Sequence, residues 1–449
     1  MLSTVHSSPD SLRPTVQRLW RAGVALALFL LTLIVGNAFL PESRRLTSGL
    51  VGHDFLAFYT AGHFVREGRA HDLYDLQAVK TFQHDLAQRE HLEIGASFGP
   101  FWNPPFYAWA FAPLAALPYR SALLAWEIVN AICLLAAICL LMRMLRPAPP
   151  RITALIPLLL LTSMPLIQAL THGQNTMVSL LLLCVVVTCW RTRRAFLAGL
   201  ASGLLLYKPQ LGALVAVAVV LTLGWRAFSG LAVTALALLV TTLITLPGTL
   251  TDYLSRMPGN LHQFQVENVY LWDRHVTLRA FWRLLLQGRA AGEMSTLATS
   301  CWLLSCAVIA IMLAIAVWKH RRQSSPIKLD TLIAAVIAAM PLLMPFYFDY
   351  DLLLIFVAAI LYVGTRLGAA TDPLSIDHWL TRAWIALYLW LMVNSTVARL
   401  AHINGTALIL TGVAILLARR AALAQTISAF APADVEADEF TPRPLAAIA

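Results

Sequence analysis

The chain is built from apolar runs, many of them approaching the roughly 20 residues that a helix needs to cross a hydrocarbon core. They place candidate spans at about 19–40, 121–142, 152–170, 176–190, 195–207, 211–224, 228–247, 297–318, 328–345, 351–364, 379–397 and 403–418. In lipid each backbone polar group must be satisfied within its own segment, and a helix achieves this. The expectation is an all-α, polytopic integral membrane protein of about twelve transmembrane helices packed on one another.

Positive charge orients such a bundle. The basic clusters are Arg13/Arg18/Arg21, Arg143/Arg146/Arg151, Arg191/Arg193/Arg194, Arg226, Lys319/Arg321/Arg322 and Arg419/Arg420. Placing all of them on the cytoplasmic side leaves both termini inside. Only 12% of the residues are charged and 59% are hydrophobic, whereas a soluble domain carries about 25% charged residues. The net charge of +10 therefore sets topology, and no nucleic-acid partner is expected. The first run is long for a signal-peptide core and lacks a small-residue cleavage site, so it reads as a retained span. The six cysteines all lie in apolar runs without metal-ligand spacing. They read as small buried packing residues, and no metal site or cofactor is expected.

The organisation expected is a cytoplasmic segment 1–18, a transmembrane domain 19–424, and a disordered cytoplasmic tail 425–449 with an acidic patch at Asp434, Glu436, Asp438 and Glu439. Three segments face outside: 41–120, about 249–296, and the short turn 346–351. The first contains helical periodicity over 55–66 and 75–90. Its end, 104–117, is apolar but short and carries Pro113, which suggests a re-entrant or half-spanning helix, with a thirteenth crossing as the alternative.

The residues able to do chemistry gather on this outer side. His53-Asp54 follows the first span, and Asp54 reads either as the N-cap of the helix starting at Phe55 or as a general base. In Phe101-Trp-Asn-Pro-Pro-Phe106, Asn103 suits a helix cap and the aromatics suit an interfacial belt or a substrate contact. Thr171-His172-Gly173-Gln174-Asn175 carries more hydrogen-bonding groups than a hairpin turn needs, and polar groups at membrane depth usually face a cavity or the protein interior. Lys208, in Tyr207-Lys-Pro-Gln210, would cost about 2.5–3.5 kcal/mol at a bilayer centre. It must snorkel to headgroups or meet a polar group such as a phosphate. Tyr347-Phe-Asp349-Tyr350-Asp351 brings two carboxylates with no obvious local cation. They read as helix caps, sugar-hydroxyl contacts or, with too few ligands in view, a metal site. His262, Asn268, Trp272, Asp273, Arg274 and His275 set aromatics beside polar groups on the second outer segment, which suits carbohydrate stacking.

Together, the Asp54 loop, Phe101-Trp-Asn-Pro-Pro-Phe with Ala112-Pro-Leu-Ala-Ala-Leu-Pro118, the Gly173-Gln-Asn turn, Lys208-Pro and Phe346-Tyr-Phe-Asp-Tyr-Asp-Leu352 resemble glycosyltransferase family 87, the polyprenyl-phosphate-mannose-dependent α-mannosyltransferases of the GT-C fold. The resemblance spans about 50–360. It implies a polyprenyl-phosphate sugar donor, a glycan or glycolipid acceptor, and transfer of a hexose, mannose in this family, on the extracytoplasmic face of the plasma membrane (in bacteria the inner membrane). It also implies inversion at the anomeric carbon and a catalytic Asp in the first outer loop, a position that Asp54 matches. Family members often carry a phosphate-contacting His in the late outer turn, where this chain has Asp349-Tyr350-Asp351. The donor- and acceptor-binding set expected is His53, Asn103, His172, Gln174, Asn175, Lys208, Gln210, Arg274, Tyr347, Asp349, Tyr350 and Asp351.

The chemistry agrees with that set. An alcohol attacking an anomeric carbon needs one base, and a phosphate leaving group needs charge stabilisation rather than a general acid. A glycosidase would more often use paired carboxylates. Asp54 as base, with Lys208 and His172 near phosphate, would meet the need. The competing class is a transporter of a lipid-linked or polar solute. Many transporters show internal repeats and midplane sites, whereas this sequence shows no repeat and clusters its polar groups at one interface.

Overall fold

The structure is a computed structural model and describes residues 13–39, 52–146, 148–322, 326–367 and 375–423. The acidic tail and the start of the first outer segment lie outside the described residues. Among those described, every regular element is helical, and the sole β pairing is an isolated bridge between His275 and Phe348.

Each apolar run forms a helix. Helix α1 spans Arg13–Phe39. Helices α2 (Phe55–Arg66) and α3 (Leu76–Glu90) follow where helical periodicity places them. Asp75 caps α3, its side chain accepting from the backbone N–H of Gln77 and Ala78. The half-spanning helix expected over 104–117 is absent. Two 3-10 turns, Pro105–Ala110 and Leu114–Ala116, stand there instead, because Pro104, Pro105 and Pro113 remove donors and fix the backbone. Asn103 accordingly caps nothing. Its amide donates to the Tyr207 carbonyl at 2.8 Å.

Helix α4 (Tyr119–Met144) leads into a broken stretch of α5 (Pro150–Thr153), α6 (Leu155–Leu161) and α7 (Met164–His172). The chain bends by 47° between the α5–α6 stretch and α7. Then come α8 (Thr176–Arg191), α9 (Ala195–Leu204), α10 (Pro209–Leu223) and α11 (Trp225–Thr245). α9 packs against α11, and a Cβ on Gly199 or Gly230 would collide with the Ala227 or Phe196 carbonyl of the facing helix. Small residues permit this close backbone approach between helices in lipid. Helices α12 (Thr249–His262), α13 (Leu278–Gln287), α14 (Thr296–Arg322) and α15 (Pro326–Leu343) follow. A 3-10 turn, Asp349–Leu354, then precedes α16 (Ile355–Leu367), α17 (Ser375–Trp390), α18 (Asn394–Ala401) and α19 (Gly405–Leu423).

Among the described residues five helices are long and apolar enough to cross a membrane, or seven if two bent pairs each count as one span. Shorter apolar helices, α8 to α10 and 329–343 of α15, complete the bundle. A helix of 15 residues covers about 22 Å, less than the roughly 30 Å hydrocarbon core, so length alone supports fewer crossings than the twelve apolar runs suggest. Two cores result. One lies along α8, α15, α16 and α19, where Leu180, Leu183, Val187, Ile333 and Ile337 are fully buried. The other, built on Phe55, Phe58, Phe111, Tyr119 and Trp126, holds the first loop against α4. Of the cysteines only Cys184 is buried, and Cys139 is exposed on α4.

Candidate active site

The site forms where the first loop meets the turn after α7. Gly52 N–H donates to the Thr171 carbonyl at 2.9 Å and Asp54 N–H to the His172 carbonyl at 3.0 Å. The turn at 173 needs a positive φ, which Gly173 supplies at 67°. A Cβ there would stand 2.8 Å from that of Phe55. Trp126 Nε1 donates to the Gly173 carbonyl at 2.9 Å and Asn130 Nδ2 to that of Gln174 at 3.0 Å. Helix α4 thus fixes the 173–175 turn, and the turn fixes Asp54.

Asp54 occupies the cap position of α2, yet its side chain makes no capping bond. Its Oδ2 accepts from Gln174 Nε2 at 2.7 Å. No other side-chain bond to Asp54 occurs among the described residues, which leaves Oδ1 without a partner.

Beyond Gln174 lie two buried ion pairs, which supply the cations that sequence reading found wanting for the late turn. Lys208 Nζ meets Asp351 Oδ1 at 3.1 Å, and Thr176 Oγ1 donates to the same oxygen at 2.9 Å. Lys208 is only 6% exposed. It neither snorkels nor stands free, because an unpaired ammonium at that depth would be costly. Arg274 grips Asp349 with one edge of its guanidinium, Nη2 at 2.9 Å and Nε at 3.2 Å, and Gln168 Nε2 donates to Asp349 at 3.1 Å. Burial opposes the Arg274 charge, but the Asp349 carboxylate outweighs it and raises the guanidinium pKa. Arg274 Nη1 lies 3.1 Å from His172 Nε2. Arginine only donates, so His172 Nε2 carries the lone pair there and Nδ1–H donates to the Gln168 carbonyl at 2.7 Å.

The Tyr350 ring lies between the two pairs, 5.5 Å from Lys208 Nζ and 5.7 Å from the Arg274 guanidinium. Its hydroxyl accepts from Gln174 Nε2 at 3.1 Å. Tyr347 is buried and donates to the Asp351 carbonyl at 2.9 Å. The late turn is pinned to the 270s by the His275–Phe348 bridge and by Val276 N–H donating to the Tyr347 carbonyl at 2.9 Å. Burial, with Arg274 and Arg279 nearby, pushes His275 down to about 3.

The sequence-derived residues therefore converge: Asp54, His172, Gln174, Lys208, Arg274, Asp349, Tyr350 and Asp351 form one connected set. Asn175 reaches Tyr107 at 3.0 Å instead. His53 flanks Asp54 half-buried, and no hydrogen bond joins its side chain or that of Gln210 to this set among the described residues. Sequence reading missed Gln168, Thr176 and Tyr107. Gln168 left a signal, a lone amide inside an apolar run one helical turn before His172. Among the described residues no three His, Cys, Asp or Glu side chains gather as metal ligands. The arrangement offers a carboxylate with one oxygen held and one open, beside a guanidinium and a buried ammonium.

The family model for glycosyltransferase family 87 matches residues 101–345. The match includes the 171–175 turn, Lys208 and Arg274, and stops short of Asp54 and the late turn on either side. No curated protein and no solved structure matches the chain. Because the matched stretch covers more than half of a helical membrane protein, the chain belongs to glycosyltransferase family 87 and is a membrane glycosyltransferase.

Proposed function

We propose that this glycosyltransferase moves a hexose, mannose by its resemblance, from a polyprenyl-phosphate sugar to a glycan or glycolipid acceptor at the extracytoplasmic face, with inversion. The reading rests above all on Asp54, whose Oδ2 is held by Gln174 while Oδ1 has no partner among the described residues. Asp54 takes the proton of the acceptor hydroxyl, and the hydroxyl oxygen attacks the anomeric carbon. The bond from that carbon to the phosphate oxygen breaks, and its electron pair leaves with the polyprenyl phosphate. That leaving group needs a cation more than it needs an acid.

Lys208 was the expected phosphate contact, but it is spent on Asp351. Arg274 is likewise paired, with Asp349, but its side chain is 16% exposed against 8% for Lys208, which makes it the more accessible cation. His172 accepts from Arg274 and orients it.

The test uses purified protein in lipid nanodiscs, supplied with a polyprenyl-phosphate hexose or a nucleotide hexose. Release of polyprenyl phosphate and a product of inverted anomeric configuration are expected from the lipid donor alone. Transfer from the nucleotide sugar without use of the lipid donor would overturn the reading.

A further inference from the structure

We propose that Gln174 is a positioning residue that acts on sugar transfer through Asp54 and touches neither donor nor acceptor; the inference rests on Asp54 being the base. The Gln174 side chain is 6% exposed, and its amide is used at both ends. Oε1 faces Lys208 Nζ at 3.4 Å and the backbone N–H of Asn175 at 3.4 Å. Both are donors, so the amide cannot flip without setting N–H against N–H. Nε2 is thereby aimed away from them, at Asp54 Oδ2, 2.7 Å away, and at the Tyr350 hydroxyl, 3.1 Å away.

The orientation is inherited. Thr176 fixes Asp351, Asp351 fixes Lys208, Lys208 fixes the Gln174 oxygen, and the Gln174 nitrogen fixes one oxygen of Asp54. A carboxylate anchored through Oδ2 has its rotation about the Cβ–Cγ bond restricted, and Oδ1 is the atom left to accept a proton. Asp54 needs this help because it makes no capping bond that would otherwise fix it. Proton transfer depends on hydrogen-bond geometry at the reacting atom, and a misplacement of about 1 Å can cost about 100-fold in rate.

The experiment is a double-mutant cycle on the full-length protein in nanodiscs, with donor binding, acceptor KM, kcat and thermal unfolding measured for each form. Gln174→Met keeps the length and loses the donor. It should lower kcat about 10- to 100-fold, as expected for a hydrogen bond to a charged group, and change donor affinity and acceptor KM less than about 3-fold. In the Asp54→Asn background the same substitution should change kcat less than about 3-fold, because its only route to the reaction is gone. Gln174→Glu keeps the shape and an oxygen towards Lys208 but replaces the donor by an acceptor, so it should not rescue kcat. Three results overturn the inference alone while Asp54→Asn remains defective: equal kcat losses in both backgrounds, a loss confined to KM or donor binding, or rescue by Gln174→Glu. Near-normal turnover of Asp54→Asn overturns the base reading and this inference with it.

Discussion

The bundle carries a two-pronged arginine–aspartate pair at each end. Arg274–Asp349 lies at the Asp54 end. At the other end of α8, Arg191 holds Asp330 through Nε at 2.7 Å and Nη2 at 2.9 Å. The second pair is self-contained. Arg191 adds a bond to the Met144 carbonyl, so α4, α8 and α15 are clasped, and the pair lines a cavity of about 450 Å³ with Leu140, Arg143 and Thr188. The first pair continues instead into His172 and Gln168, and beside it Lys208, Gln174 and Tyr350 lead to a carboxylate with an open oxygen. The same pairing thus serves two ends differently. A closed pair is a fastening; the chain of pairs at the Asp54 end stops instead at an oxygen with no partner among the described residues.

The sharpest way to break this contrast is to remove one carboxylate at each end. Asp54→Asn should lower turnover about 10²- to 10⁴-fold with donor binding and melting temperature nearly unchanged. An equal loss of stability would make Asp54 a fastening too. Lys208→Met tests the buried pair inside the site. It strands Asp351 and should destabilise the protein by about 3–5 kcal/mol, and a second change, Asp351→Leu, should recover much of that. A stable Lys208→Met protein that has lost only donor affinity would instead return Lys208 to the phosphate. At the far end, Asp330→Asn should cost about 1–3 kcal/mol of stability and leave turnover per folded molecule intact; a selective loss of turnover would show that the ends are not separable.

The smallest effect is one of pH. His275, at the Asp54 end, has its pKa depressed to about 3 from an ordinary value near 6.5. It is buried neutral, so its contribution is complete above about pH 6.5 and is lost as the pH falls towards 3, by at most about 1.4 kcal/mol per pH unit. Unfolding midpoints between pH 7 and 4 should fall more steeply for wild type than for His275→Asn, whose side chain does not titrate. Parallel curves would remove His275 from the acid response.

The helices were legible because an apolar run and a helical periodicity such as that over 75–90 are local facts. The gathering of Asp54, the 171–175 turn and the 349–351 turn was legible from topology, since basic clusters at one end leave polar turns at the other. The pairings were not. Asp351 and its lysine are separated by 143 positions, and Gln174 and Asp54 by 120; no periodicity relates residues so far apart. Residues 104–117 misled because hydropathy registers their apolar character but not the donors that prolines delete. Span length is a weaker guide, since helices such as α9 and α10 are apolar but short of a full crossing by length.

The 52–54 turn hangs from carbonyls at the end of α7, and α7 begins just beyond the break at Thr162–Ser163. Asp54 and Gln174 therefore share one support, and Gln168 and His172 on α7 tie that support to Asp349 and Arg274. A shift of α7 would carry the carboxylate and its anchor together, and would pull on the same ion pair that holds the late turn.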